Sequence, residues 1–376
     1  MIWPRVIGQE WAKGVLLSAI RGGRLAHAYL FYGEEGVGKD ALALELARAL
    51  HCERREEEAC GTCHSCVRIT ALQHPDVRFV VALPVGKGEE SDDPPLSKLT
   101  DADMRLIQGE FKRKAEEPYY RISIPRAFAV KINSIREVRR EAALSTSDGR
   151  RRVVIISHAE LMKTEASNAL LKTLEEPSGN TLLILTTAHR EALLPTIQSR
   201  CQPVRFDLLK EEEIGTALRE RKEVDPDRAV TVARIANGSY GMALELLEQD
   251  LDVQRENVLS FIRSVLGKQV VPFVESIEVM SAPRDREAVI RFLTLLLIWF
   301  RDAMVHAQGR AVINADQLTP IKNFVAKFPD ANLVQVLADI EEAISLVKRN
   351  AYIMVVLLQL AVHLRANILG TRRTGT

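Results

Sequence analysis

Residues 33–40 read Gly-Glu-Glu-Gly-Val-Gly-Lys-Asp, and no other stretch restricts the fold of this chain as tightly. The first seven positions follow Gly-x-x-x-x-Gly-Lys, a loop whose backbone N–H groups cradle phosphates while the lysine reaches the terminal ones. Such a loop needs a buried strand running into it and a helix running out. The sequence supplies both: Leu25–Tyr32 is a short apolar run, and Asp40–Leu50 carries Leu42, Leu46, Ala49 and Leu50 at helical spacing. Gly33, Gly36, Gly38 and Lys39 are the candidate phosphate-binding residues. The eighth position departs from the pattern. Asp40 stands where Ser or Thr ligates Mg²⁺, and a carboxylate there turns negative charge toward a triphosphate. ATP binding is expected to be weak or absent.

Further apolar strands are expected at Val77–Ala82, Val153–Ser157 and Thr181–Thr187, with helical segments between them. That alternation implies an α/β domain, a parallel sheet covered on both faces. A length of 376 residues leaves room for two or three domains. The net charge of +1 and pI of about 7.7 provide no overall field for nucleic acid or membrane. An aromatic content of 5% argues against a single-strand binder built on stacking platforms. The longest apolar runs, Leu293–Phe300 and Ala351–Val362, fall short of the roughly 20 residues that cross a bilayer and read as buried helices. The opening MIWPRVIGQE lacks the basic-then-apolar pattern of a signal peptide, so a cytoplasmic protein without membrane association is expected.

Cys52, Cys60, Cys63 and Cys66 have the spacing C-x7-C-x2-C-x2-C, with Gly61 helping the turn. Four soft thiolates this close suit tetrahedral Zn²⁺ where disulfides would be reduced. With every position taken by sulfur no open site remains for catalysis, so the metal is expected to be structural. An iron–sulfur cluster is the rival occupant, and free thiols or a redox switch a further reading. His51 and His64, beside the cysteines, are expected at the surface. Leu83–Tyr120, with GKGEESDDPPLSK and a charged tail, reads as a partly disordered surface insertion.

After Phe206 the strand pattern stops. Glu211–Glu220, Pro226–Ile235 and Met242–Glu248 read as helices, and the chain is helical in character from about Val253 to Leu369. Leu333, Leu337, Ile340, Ile344 and Val347 form one apolar stripe.

HAYLFYGEEGVGKD, the cysteine module, SNALLKTLEEP (Ser167–Pro177), ILTT (Ile184–Thr187) and SRC (Ser199–Cys201) occur in that order. Together they resemble the AAA+ clamp-loader subunits of bacterial DNA polymerase III, over essentially residues 4–250. The resemblance implies an AAA+ domain at 1–206, with the zinc module at about 51–67 and the insertion at about 83–120. It further implies a helical lid at 207–252 and a helical collar at 253–376 that joins subunits in a ring. The implied partners are gamma or tau and delta subunits in a hetero-oligomer, and, through the complex, primed DNA and the sliding clamp.

Motor members of that family carry Ser or Thr after the loop lysine, Asp-Glu at the end of the third strand, and an arginine in the lid's GS-x-R motif. This chain has Asp40, Ser157-His158 and Gly241 at those places. Glu160, two residues past His158, is expected to point elsewhere. The three departures fit the non-hydrolysing delta-prime branch rather than gamma and tau, with an active motor or a zinc-bearing scaffold outside replication as the alternatives. Arg200 in SRC resembles the arginine finger presented to a neighbour's ATP; the plainer reading is an arginine paired within its own fold. Cys201 beside it reads as a small buried residue. Arg136, Arg139, Arg140 and Arg150–Arg152 make a locally basic stretch, either a DNA or subunit contact or, more simply, a solvated helix face and strand entry.

Overall fold

The structure is a computed structural model describing residues 3–54, 57–142, 150–176, 180–248, 251–267, 286–310, 312, 317–349 and 351–370. Pro177, which ends the SNALLKTLEEP stretch, lies outside the described residues, as do residues 268–285 of the helical tail. The chain divides into two compact units, Met1–Leu244 and Glu245–Thr376.

The first unit holds β1 (Ala28–Tyr32), β2 (Val77–Val80), β3 (Arg152–Ile156), β4 (Thr181–Thr187) and β5 (Gln202–Arg205) in one sheet of order β2-β3-β4-β1-β5. Every pairing is parallel. Strands buried on both faces read as unbroken apolar runs, because alternation has no polar side to serve. Residues 28–31, 152–156 and 181–187 are accordingly buried throughout. One face packs Leu30, Val154, Ile156, Leu183 and Leu185 against α5 (Ile132–Ala142) and α6 (Thr164–Glu175). The other meets α2 (Lys39–His51), whose Leu42 and Leu46 are fully buried. Only β5 was not foreseen. It pairs with β1 as an edge strand, where Pro203 costs no ladder bond that a neighbour needs.

Helix α1 (Glu10–Arg21) precedes the sheet, and α3 (His64–Thr70) follows the cysteine loop. Residues 83–120, expected to be partly disordered, form ordered structure. Thr100 and Asp103 close a reciprocal capping box at the start of α4 (Asp101–Glu116). Its buried face carries Asp103, Ile107 and Lys114, and Phe111 meets Phe79 of β2 edge to face at 6.4 Å. Ahead of the helix, the buried Glu89 takes Lys131 Nζ at 2.6 Å and Asn133 Nδ2 at 2.6 Å, which pins the acidic half of the segment. Enough apolar and paired polar surface is buried here to offset the ordering entropy that composition alone made prohibitive.

A four-residue helix α7 (Pro195–Gln198) leads into β5, and three helices complete the unit: α8 (Glu211–Lys222), α9 (Pro226–Ile235) and α10 (Tyr240–Glu248), the last crossing the boundary. In the second unit the described residues form α11 (Leu251–Leu266), α12 (Arg286–Ala307), α13 (Leu318–Lys327), α14 (Leu333–Lys348) and α15 (Ile353–Leu369). Helix α14 packs against both α12 and α15. Its fully buried stripe is Val336, Ile340, Ala343 and Val347, rotated from the expected one, with Leu333, Leu337 and Ile344 only partly covered. Packing on two flanks selects the face that lies between them. Asp339 on that face is satisfied by Gln335 and Asn367.

Candidate functional site

The glycine loop turns at the carboxyl end of β1, an interior strand flanked by β4 and β5, where open α/β sheets hold their ligands. Gly33, Gly36 and Gly38 all have positive φ, and Gly36 shows what that permits. A methyl group there would lie 2.2 Å from Ser239 Oγ and 2.9 Å from the Gly241 nitrogen. The Ser239–Gly241 turn is pressed against the loop, and the Gly241 N–H donates to the Gly36 carbonyl at 3.1 Å. Gly241 is thus a backbone contact, and a methyl group added to it would lie 2.9 Å from the Gly36 Cα.

Lys39 is turned back on its own loop. Its ammonium donates to the carbonyls of Gly33 at 2.7 Å and Glu34 at 2.6 Å. Burial lowers its pKa, while the charges of Asp40, Glu35 and Glu160 act in the opposite direction. Glu160, expected to point elsewhere, adds its charge to that balance from beside His158. It sits 3.3 Å from His158 Nδ1. Burial would raise its carboxyl, but the hydrogen bond and charge of His158 hold it down at about 2.

Asp40 lies at the centre of a closed polar network. Its Oδ1 accepts from Thr186 Oγ1 of β4 at 2.7 Å. Its Oδ2 accepts from Ser157 Oγ, just past β3, at 2.9 Å and from Lys114 Nζ of α4 at 2.8 Å. The Lys114 side chain is 3% exposed and that of Asp40 17%. Burial alone would raise the Asp40 carboxyl; Lys114 above all brings it well below the ordinary carboxylate range. Lys114 also donates to the Tyr120 carbonyl at 2.8 Å. Tyr119 lies over Gly38, accepts from the Ile7 N–H at 2.8 Å, and meets Tyr240 of the lid edge to face at 4.9 Å. Arg121 pairs with Glu35 of the loop at 2.8 Å.

Sequence reading found one side of this network and missed Lys114, Tyr119 and Arg121. A signal was present: Thr100-x-x-Asp103 is a helix start, and Ile107, Phe111 and Lys114 fall at i, i+4 and i+7 on one face. The apolar period was broken by a lysine, so it did not register as a buried stripe.

The four cysteines come together where α2 ends and α3 begins. Cys52 caps α2, Cys63 caps α3, and all four sulfurs lie within 4.8 Å of one another. A tetrahedral site with bonds of about 2.3 Å to sulfur needs sulfur separations of about 3.8 Å, and Cys60 Sγ to Cys66 Sγ is 4.0 Å. Backbone N–H groups of Cys60, Cys63 and Cys66 already point at Cys52, Cys60 and Cys63 sulfurs, as they would toward thiolates. Backbone donors hold the Cys60 thiol down at about 6, while burial pushes Cys66 up to about 12. A divalent cation at the centre would favour the thiolate at all four. The donor set fits a bound metal ion. His64 is exposed as expected, but His51 is fully buried and faces His74 at 4.6 Å, so it belongs to the packing behind the module.

Arg200 follows α7. Its guanidinium donates to the Thr196 carbonyl at 3.0 Å and pairs with Glu175 at the end of α6 at 2.9 Å, both side chains partly exposed. Cys201 is buried in the core, and burial pushes its thiol up to about 12. Most of the basic stretch is engaged within the fold. Arg152 is buried against Asp76, Arg150 bonds to the His51 carbonyl, and Arg136 pairs with Asp92. Arg139 and Arg140 are exposed.

A family model described as "DNA polymerase III, delta subunit" matches residues 8–210. The DNA polymerase III subunit delta' of Bacillus subtilis is 31% identical over 236 residues, which cover 63% of this chain and 58% of that protein. The subunit delta' of Pseudomonas aeruginosa is 31% identical over 291 residues, 75% of this chain and 72% of the relative. The subunit gamma/tau of Mycobacterium bovis is 29% identical over 362 residues, 89% of this chain and 55% of the relative. The matched region is thus less than two thirds of the first and third relatives, and more than two thirds of the second. With the family matched across more than half of its length, and a delta' relative above 30% identity along most of both proteins, the chain belongs to the delta-prime family of DNA polymerase III clamp-loader subunits.

Proposed function

We propose that this chain is the non-hydrolysing member of a DNA polymerase III clamp loader, joining gamma or tau and delta subunits to place a sliding clamp on primed DNA. The observation that carries the reading is the network around Asp40. ATP hydrolysis needs a free loop lysine, a hydroxyl and a strand-end carboxylate on Mg²⁺, and a positioned water. In this chain the lysine is spent on loop carbonyls, the hydroxyl is replaced by a carboxylate, and that carboxylate is already neutralised by Lys114.

Arg200 serves a neighbour's ATP in this reading. A guanidinium suits the task because its planar donors spread over phosphate oxygens as charge moves in the transition state. Its pairing with Glu175 does not oppose this: the partner is 48% exposed, and solvent-screened pairs of this kind contribute about 1 kcal/mol or less. The cysteine module holds a structural Zn²⁺, which the all-sulfur donor set favours. No helix of the described residues is long and apolar enough to cross a membrane, which accords with a cytoplasmic complex.

The test is kinetic. The isolated chain should release no phosphate from Mg·ATP beyond background. Arg200→Ala should assemble normally with gamma or tau and delta, yet slow hydrolysis at the neighbouring site it faces by about 10³-fold or more, seen as a reduced ATPase of the reconstituted loader. Turnover by the lone chain, or unchanged turnover in the Arg200→Ala loader, would contradict the reading.

A further inference from the structure

The position of Lys114 has a meaning beyond the loss of catalysis. In a working phosphate loop the residue after the lysine and an acidic residue at the strand end hold Mg²⁺ between them. Here those two places are Asp40 and Ser157, and the Ser157 hydroxyl and the Lys114 ammonium both donate to one oxygen, Asp40 Oδ2. The carboxylate sits on the loop side and the hydroxyl on the strand side, and the cation between them comes from the chain itself. Around it, Tyr119 covers Gly38, Arg121 holds Glu35, and the Gly241 backbone closes on Gly36. Lys39 completes the closure by satisfying two loop carbonyls.

We propose that residues 114–121 are a built-in occupant of the chain's own nucleotide pocket, with the Lys114 ammonium fixed in the place of the divalent cation. This rests on the reading of a pocket that does not turn over ATP and deepens it: the pocket is filled as well as inactive. Entry of Mg·nucleotide would require four changes together. Lys114 would have to leave Asp40, Lys39 its carbonyls, Arg121 Glu35, and the lid Gly36. The two buried lysines carry most of the cost, since each would give up charge-assisted hydrogen bonds in a largely dehydrated place, while the partly exposed Arg121–Glu35 pair adds little. The segment therefore keeps the loop, the lid and β3 in one arrangement whatever the concentration of nucleotide around it.

Two measurements on the full chain test this. In the first, lysine acylation of the native protein is followed by mass spectrometry. Lys114 should label at least about tenfold more slowly than the exposed Lys98 and Lys112, with or without Mg·ATP, as a lysine accessible only through local opening does. Labelling of Lys114 at the rate of Lys112 would overturn the proposal. In the second, a fluorescent ATP analogue with Mg²⁺ is titrated into the wild type and into Asp40→Thr/Lys114→Ala, which removes both charges at once and restores the hydroxyl. The wild type should show no saturable binding, and the folded double variant a Mg²⁺-dependent gain in affinity of at least about tenfold. Equal binding by the two proteins, or none by the folded double variant, would overturn it. Binding by the wild type without phosphate release would sink the occupied pocket and leave the non-hydrolysing reading standing; phosphate release would remove that reading itself.

Discussion

Asp40 shows how much a single position can say and how much it withholds. From sequence it is an aberrant residue after a loop lysine, and its departure from the metal-binding pattern is legible at once. That it would accept three hydrogen bonds, one from an ammonium, is not, because its cation lies 74 positions away in a segment whose composition suggested disorder. Glu160 pairs with its neighbour His158, and sequence spacing did not reveal it. Two residues past a strand end is a sequence distance; the left-handed turn at His158 decides where the side chain goes. That turn has a measurable consequence. The Glu160 carboxyl is lowered from 4.5 to about 2, so its contribution is fully present above pH 4.5 and is lost as pH falls toward 2. At about 1.4 kcal/mol for each pKa unit, the wild type should exceed Glu160→Gln by roughly 3 kcal/mol near pH 6. The difference should shrink steadily below pH 4.5 in urea unfolding followed at several acid pH values. A constant difference across that range would show that Glu160 is not held as an ion by His158.

At the scale of elements, periodicity and turn chemistry did most of the work. β1, β4 and α9 fall where apolar runs and a proline helix start place them. β5 escaped notice because only Val204 of its four residues is buried, so it offers no apolar run. The stripe on α14 was displaced because a periodic pattern gives the spacing of a buried face and not the number of neighbours that share it. The cysteine module is the element whose chemistry was most legible, since four sulfurs at short spacing leave few uses. The proposed zinc carries a prediction. Treatment with a strong zinc chelator, or Cys60→Ser/Cys63→Ser, should abolish an equimolar zinc content measured by atomic emission. It should also lower the melting temperature by about 5 °C or more, since each kcal/mol moves a unit of this size by about 2–4 °C. Full zinc loss with an unchanged melting curve would show that the module contributes nothing to the stability of the sheet unit.

For the whole molecule, two compact units meet within α10, at Leu244 and Glu245. In the ring reading, the sheet unit carries Arg200 and the helical unit beyond residue 252 carries the contacts that join subunits. A chain ended after residue 252 should then keep its zinc and its protected Lys114, yet fail to co-elute with gamma or tau and delta on size exclusion. Co-elution of the shortened chain would move the assembly surface into the first unit. The resemblance supplied this division of labour more than the residues did: a helical tail is legible from its apolar spacing, but what it touches is not written in any one helix.

Helix α2 starts at the loop lysine and finishes at Cys52. Its thirteen residues span about 20 Å. One end is fastened by the cluster of charges at Asp40, the other by sulfur. Anything that rearranges the sulfurs therefore acts on the same rod that carries Lys39 and Asp40, so the module and the glycine loop are neighbours through thirteen residues of backbone and not only through sequence.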